Sequence, residues 1–236
     1  MQINGMEVTR DWLVQRLEYA PYRSAEKVYV DKTIDVALEY GFCAITLPAP
    51  ESLAYAAERL SGTGIRLCTV FDHPVGFASS ATREAMAKEA VRLGARGADV
   101  MPNITAVKTR DWQAVTESIR VIVETVGPDF ETKVFTDCNG DPDEMYGMAE
   151  CIQTAGATHC KTYDANGIGV PISRIADLRR RLSHAKLKAS GNGKHWSGII
   201  ALGAFAAGAD LISGSNMPQI VEELPYVEQI YRSVMF

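Results

Sequence analysis

Residues 112–137 read WQAVTESIRVIVETVGPDFETKVFTD and contain the unit from which the whole chain is built. Apolar residues recur at steps of three and four from Trp112 to Val126, which is the spacing of one buried helix face. Gly127-Pro128 ends that helix, because glycine adopts the left-handed terminus and proline cannot continue the helix. The following run, TKVFTD, is short and apolar, as expected of a buried strand. The stretch therefore predicts a helix, a glycine stop and a strand.

The same unit recurs along the sequence. Strand-like runs are centred near Thr46, Val70, Asp99, Phe135, Lys161, Lys188 and Ile212, each separated from the next by room for one helix and two loops. A weaker eighth run falls around 17–22. Eight units in fewer than about 250 residues predict a (β/α)8 TIM barrel of parallel strands. An open doubly wound sheet is the alternative, but the glycine turn expected after its first strand is missing.

No linker divides the sequence, so we predict a single domain over residues 1–236, with 1–16 as an N-terminal helix outside the barrel. The net charge of −5 argues against a nucleic-acid partner or a polybasic membrane surface. No apolar run is long enough for a transmembrane helix, and the start lacks the pattern of a secretion signal. Five cysteines, several of them in apolar runs, indicate reduced core thiols and a cytoplasmic protein.

Ionisable residues interrupt the apolar strands at Asp99, Lys161 and Lys188, and Lys133 opens another strand. Reactive groups of barrels lie at the C-terminal ends of strands, and buried lysines are rare unless they are paired or functional. Two lysines on consecutive strands repel each other, which lowers the pKa of an amine and favours Schiff-base chemistry. Alternatively, the lysines reach solvent or pair with acids such as Asp99 or Asp137, and the pattern alone leaves both interpretations open.

Two glycine-bearing loops follow the last two strands. Ser190, Gly191 and Gly193 follow Lys188, and Ser215 and Asn216 precede a helix that has Pro218 in its first turn. Exposed backbone N–H groups and helix N-termini at this position commonly hold phosphate in barrels, although Gly-Asn-Gly is also an ordinary turn. The four histidines lack metal-binding spacing, so we predict neither a metal nor a cofactor.

Three motifs resemble deoxyribose-phosphate aldolases, the class I aldolases that use lysine and no metal. They are the stretch CTVFDHPVGFASSATREAMAKEAVRLGARGADVMPNITAVKTRDWQAV at 68–115, HCKT at 159–162 and LKASGNG at 187–193. The resemblance implies that Lys161 forms the imine, Lys188 keeps it neutral and Asp99 relays protons. It places Gly191, Gly193, Ser215 and Asn216 on the substrate phosphate, and Glu18 near a family aspartate.

The reaction that the resemblance implies is reversible cleavage of 2-deoxyribose 5-phosphate into glyceraldehyde 3-phosphate and acetaldehyde. The partners are then a small sugar phosphate and an aldehyde, and the protein is a homo-oligomer. Tyr163 and Asp164, and likewise Asp72 and His73, depart from the family pattern, which leaves the substrate open. The alternatives are an isomerase, an epimerase, an aldolase of another substrate, or a barrel that binds a sugar phosphate without turning it over.

Overall fold

Eight parallel strands form a closed barrel in the computed structural model, which describes residues 1–21 and 24–235. Each strand pairs with the next along the chain, and the last pairs with the first. This order confirms the predicted TIM barrel and rules out an open sheet. The strands are β3 (Leu17–Tyr19), β4 (Ala44–Thr46), β5 (Arg66–Phe71), β6 (Gly97–Val100), β7 (Glu131–Asp137), β8 (His159–Tyr163), β9 (Lys186–Ala189) and β10 (Leu211–Gly214).

Helices follow the barrel strands and cover the outside of the barrel. They are α2 (Lys27–Tyr40), α3 (Pro50–Arg59), α4 (Ser80–Arg92), α5 (Ile104–Lys108), α6 (Trp112–Val126), α7 (Pro142–Thr154), α8 (Ile172–Arg181), α9 (Gly198–Ala206) and α10 (Met217–Met235). The predicted helix at 112–126 is confirmed at both ends, because the Asp111 side chain accepts from the Ala114 N–H and Gly127 ends the helix at φ 77°. Its stripe of Val115, Ile119 and Ile122 is fully buried against the barrel.

The N-terminal segment differs from the helix predicted over 1–16. Strands β1 (Gln2–Ile3) and β2 (Met6–Glu7) form an antiparallel hairpin, and only α1 (Arg10–Val14) is helical. The turn residues Asn4 and Gly5 have φ values of 49° and 78°. Asn-Gly is the dipeptide that a two-residue hairpin turn favours, since both central residues need positive φ.

The first barrel strand is shorter than the predicted run at 17–22. It ends at Tyr19, and Tyr22 lies outside the described residues. Most of the apolar core lies between the strands and the surrounding helices. The centre of the barrel, by contrast, holds charged side chains, and these form the site.

Candidate active site

Five charged side chains meet inside the barrel, and each is at most 2% exposed. Two of them, Glu18 on β3 and Lys133 on β7, come from opposite sides of the barrel and form an ion pair of 2.8 Å across it. The other three come from β6, β8 and β9. The group is Glu18, Asp99, Lys133, Lys161 and Lys188, and we call it the charge cluster.

The two lysines predicted on consecutive strands share one carboxylate. Lys161 and Lys188 lie side by side in the β8–β9 register. The Lys161 Nζ donates to Asp99 Oδ2 at 2.6 Å, and the Lys188 Nζ donates to Asp99 Oδ1 at 2.7 Å. The structure therefore brings together all three predicted catalytic residues. It also shows that pairing with Asp99, which the sequence left as an alternative, occurs within the same site.

Glu18 holds the other side of the cluster. Its carboxylate accepts from Lys188, from Lys133 at 2.8 Å and from the Thr46 hydroxyl at 2.5 Å. The Lys133 ammonium also lies 2.9 Å from Glu131. Lys188 is thus bound by two carboxylates, whereas the ion pair of Lys161 is with Asp99.

The environment acts differently on these groups. Burial lowers the pKa of Lys161 to about 8, and the Lys188 cation acts in the same direction while Asp99 opposes it. Burial would raise the pKa of Glu18, but Lys133 and Lys188 hold it well below its ordinary value. Asp99 is kept anionic in the same way, because Lys161 and Lys188 outweigh burial and lower its pKa.

The third lysine stays charged. Burial would lower the pKa of Lys133, but Cys68 and Glu18 beside its ammonium group hold it well above the ordinary value. Lys133 is therefore held in the charged form, whereas the amine of Lys161 is shifted toward the neutral form, which is the form that attacks carbonyl carbon.

An aromatic group borders the Lys161 amine. The ammonium lies 4.1 Å from the centre of the Phe135 ring, and Phe135 is its register partner on β7. The Tyr163 and His73 rings lie 5.3 Å and 5.2 Å from that of Phe135. Burial and Lys161 lower the pKa of His73. Phe135 lies in the strand run TKVFTD, but the pattern gave no sign that it borders the amine.

The loop that carries His73 is fixed to the barrel by a buried arginine. Arg83 is 1% exposed, and its guanidinium donates to Asp72 at 2.6 Å and to the Met101 carbonyl at 2.8 Å. Gly76 lets the loop approach the segment that follows β6, since a Cβ there would lie 1.9 Å from the Pro102 carbonyl oxygen. Sequence reasoning missed Arg83, although Ala87 and Ala90 show that it lies on the inner face of α4.

The two predicted phosphate loops lie next to each other, because β9 and β10 are paired. The Asn216 side chain donates to the Trp196 carbonyl, which joins the loops directly. Gly193 has a φ of 48° and open space around it. The carbonyl and N–H of Ser190 are both bonded to the Thr162 hydroxyl.

The loop after Lys161 is bonded to its surroundings. Asp164 accepts from the Gly169 N–H at 2.5 Å and from the Asn139 side chain at 2.9 Å. Gly191, in the loop after β9, lies so close to the loop after β8 that a Cβ at Gly191 would be 3.1 Å from the Asp164 nitrogen. Asn192 accepts from the Val170 N–H at 2.7 Å. Asp164, which departs from the family pattern, fixes the conformation of this loop, and Asn192 fixes the loop against the one that follows β9.

Three further features concern metal ligands, membrane helices and thiols. Within 1–21 and 24–235, no three His, Cys, Asp or Glu side chains are grouped as a metal site. No helix in the described part of the chain has the length and apolar character needed to cross a membrane. All five cysteines lie within the described residues and are buried, free thiols.

The fold and the charge cluster define the chain as a (β/α)8 barrel with a buried ionisable site at its centre. No protein-family model matches it. It is 30% identical over 189 residues to the deoxyribose-phosphate aldolase of Streptococcus suis strain 98HAH33, which covers 79% of this chain and 84% of that protein. The enzyme of Clostridioides difficile strain 630 is 28% identical over 200 residues, covering 83% and 87% of the two chains. The chain belongs to the deoxyribose-phosphate aldolase family and is a lyase.

Solved structures agree with the fold. QR15, an aldolase, has a TM-score of 0.81 at 23% identity and covers 92% of this chain and 98% of its own. The deoxyribose phosphate aldolase of Aeropyrum pernix, described as a unique tetramer, has a TM-score of 0.76 at 21% identity, with 93% of each chain covered. These likenesses concern the barrel, whereas the sequence relatives show the family.

Proposed function

We propose that the protein is a class I aldolase that cleaves a 2-deoxyribose 5-phosphate-like sugar phosphate reversibly into glyceraldehyde 3-phosphate and acetaldehyde. Lys161 forms the imine, and Asp99 and Lys188 assist proton transfer. Ser190, Gly191, Gly193, Ser215 and Asn216 surround the phosphate. The observation that carries the proposal is a buried amine whose pKa is lowered to about 8 beside a carboxylate.

The lowered pKa matters because only a neutral amine is a nucleophile. At pH 7.5 an amine with that pKa is roughly one quarter neutral, compared with about 0.1% for an ordinary lysine. The gain exceeds a hundredfold before any effect of orientation. Lys188, held by two carboxylates, supplies positive charge without competing for the carbonyl carbon.

The reaction then follows from the groups present. The Lys161 nitrogen attacks the carbonyl carbon, the oxygen takes a proton, and loss of water gives the imine. With the imine at C1, the electron pair of the C2–C3 bond moves toward the protonated imine to form the enamine, as the C3 hydroxyl loses its proton and glyceraldehyde 3-phosphate leaves. Protonation of the enamine carbon regenerates the imine, and hydrolysis of this imine releases acetaldehyde and the free Lys161 amine. Asp99 lies within hydrogen-bond reach of the amine and can carry these protons.

The phosphate subsite is supported by the joined loops after β9 and β10. The Asn216 amide is already bonded to Trp196, so we assign phosphate contacts there to backbone N–H groups near the start of α10. Gly191 and Gly193 would contribute in the same way. Ser215 lies in the loop between β10 and α10, next to these backbone N–H groups.

Trapping tests the proposal directly. Acetaldehyde followed by borohydride is expected to add one reduced ethyl group at Lys161, and 2-deoxyribose 5-phosphate to give the same mass. Lys161→Met should abolish labelling, whereas Lys186→Met, which removes an exposed lysine of the neighbouring strand, should leave it unchanged. Turnover retained in Lys161→Arg would overturn the proposal in favour of proton shuttling, because a guanidinium forms no such imine.

Two further expectations stay predictions. We propose a homo-oligomer, in line with the tetramer described for the Aeropyrum pernix protein. A cytoplasmic location is supported by the five buried free thiols, since disulfides are common in oxidising compartments.

A further inference from the structure

An apolar cavity of about 210 Å³ opens beside the charge cluster. It lies among the segments that follow β5 to β8, whereas the phosphate loops follow β9 and β10. The cavity is larger than the roughly 150 Å³ apolar cavity that accommodates benzene in another protein. Its lining includes Val75, Phe77, Met101, Ile104, Val107 and Met148.

The cavity shares its wall with the reacting amine. Phe135 and Tyr163 both line it, and the Phe135 ring is the one that lies 4.1 Å from the Lys161 Nζ. A carbonyl compound bound to Lys161 would therefore lie against the same ring that forms one wall of the cavity, whereas the phosphate loops follow the next two strands, β9 and β10.

Fixed loops hold the cavity open. The Phe77 ring is 70% exposed, although exposure of a large apolar side chain to water is unfavourable. Its loop is held in place and does not fold into the cavity. The buried Arg83 bonds the Asp72 carboxylate at 2.6 Å, and Gly76 packs against Pro102. An apolar space of this kind gains free energy when an apolar group displaces its water.

The polar rim selects against charge. Lys108 lies at the edge and is paired with Glu144 at 2.6 Å, and Asp137 also lines the cavity. Two carboxylates and one lysine make the rim unfavourable for an anion, so a neutral substituent fits better than a second phosphate or a carboxylate.

We propose that this cavity receives a neutral, apolar substituent of the carbonyl donor, so that the enzyme accepts aldehydes of about four to six carbons better than acetaldehyde. The inference rests on the proposed function, because the donor is held through Lys161. The covalent step is unchanged: amine and aldehyde form an imine and release water. Only the group attached to the carbonyl differs.

The test compares hexanal with acetaldehyde in imine trapping at Lys161. Burial of two methylene groups strengthens binding by about tenfold. Hexanal should therefore reach half-maximal labelling at a concentration at least tenfold lower than acetaldehyde. Ile104→Trp, which fills the cavity, should remove this preference and leave acetaldehyde labelling unchanged. Val75→Phe, at a position 45% exposed at the rim, gives a second filled variant that folds more readily.

Ile199→Trp is the matched control, since Ile199 is an exposed apolar residue on α9 and does not line the cavity. It should keep the preference for hexanal. Equal half-maximal concentrations for the two aldehydes in the wild type, or a preference that survives both filled variants, would overturn the inference alone. Absence of labelling with either aldehyde would instead overturn the proposed function.

Discussion

Replacement of Lys188 by methionine should raise the pKa of Lys161 and slow imine formation near neutral pH. Each of the two ammonium groups bonds a different oxygen of Asp99, at 2.6 and 2.7 Å, so their nitrogens lie within about 7.5 Å of each other. At an effective dielectric constant near 20, that separation corresponds to a repulsion of about 2 kcal/mol. Removing it moves the titration midpoint upward by about 1.5 pH units.

The magnitude follows from the pKa of about 8 in the wild type. At pH 7.5 the neutral fraction of Lys161 should fall from roughly one quarter to about 1%, a loss of about twentyfold in the initial rate of imine formation. Above pH 10 the rates of the two proteins should converge. The fold should survive, because Glu18 keeps Lys133 and Thr46 as partners, and Asp99 keeps Lys161.

The assay is a pH series of acetaldehyde labelling, quenched with borohydride at short times and read by intact mass. Lys133→Met is the matched control, since it removes a buried lysine that bonds Glu18 rather than Asp99, and it should shift the midpoint less. An unchanged or lowered midpoint in folded Lys188→Met protein would refute the idea that this neighbour helps to keep the nucleophile neutral.

Two further predictions concern stability. Burial and Lys133 lower the pKa of His159 to about 3, so below pH 6.5 the unfolded chain takes up a proton that the folded protein does not. Between pH 6.5 and 4.5 this should remove roughly 2 kcal/mol of stability in urea unfolding, and His159→Asn should lose correspondingly less. Gly76→Ala should cost about 2–4 kcal/mol, because its φ of 69° is strained for alanine and its Cβ would meet the Pro102 carbonyl oxygen. Gly62→Ala, at φ 76° with open space around it, should cost only about 1 kcal/mol in the same thermal melts, and equal costs would contradict the packing argument.

The barrel was predictable because its signals are local. The stripes of α2, α6 and α7 end near Gly41, Gly127 and Gly156, and the apolar runs that follow became strands at nearly the predicted residues. The hairpin at the N-terminus carried an equally local signal in Asn4-Gly5, which the helix prediction overlooked. The first strand was harder to place because the charged residue Glu18 stands at the centre of β3, so that Leu17–Tyr19 gives no continuous apolar run.

The site was predictable only in part. Asp99, Lys161 and Lys188 stand out because a charged residue within an apolar strand is unusual, and the structure joins them. The pairing of Glu18 with Lys133 was not accessible in this way, since it joins residues from opposite strands of the barrel. Nor can spacing show that Phe135 borders the amine, because the distance depends on the barrel register.

The way in which the charge cluster spans the barrel links folding to chemistry. Its members come from five of the eight strands, and the Glu18–Lys133 pair joins the first strand of the cylinder to the fifth. A partly assembled cylinder would leave ammonium and carboxylate groups without counterions in an apolar interior, which is energetically unfavourable. Neither half of the chain can therefore satisfy these groups alone, and the surroundings that lower the pKa of Lys161 form only when the two halves of the barrel come together.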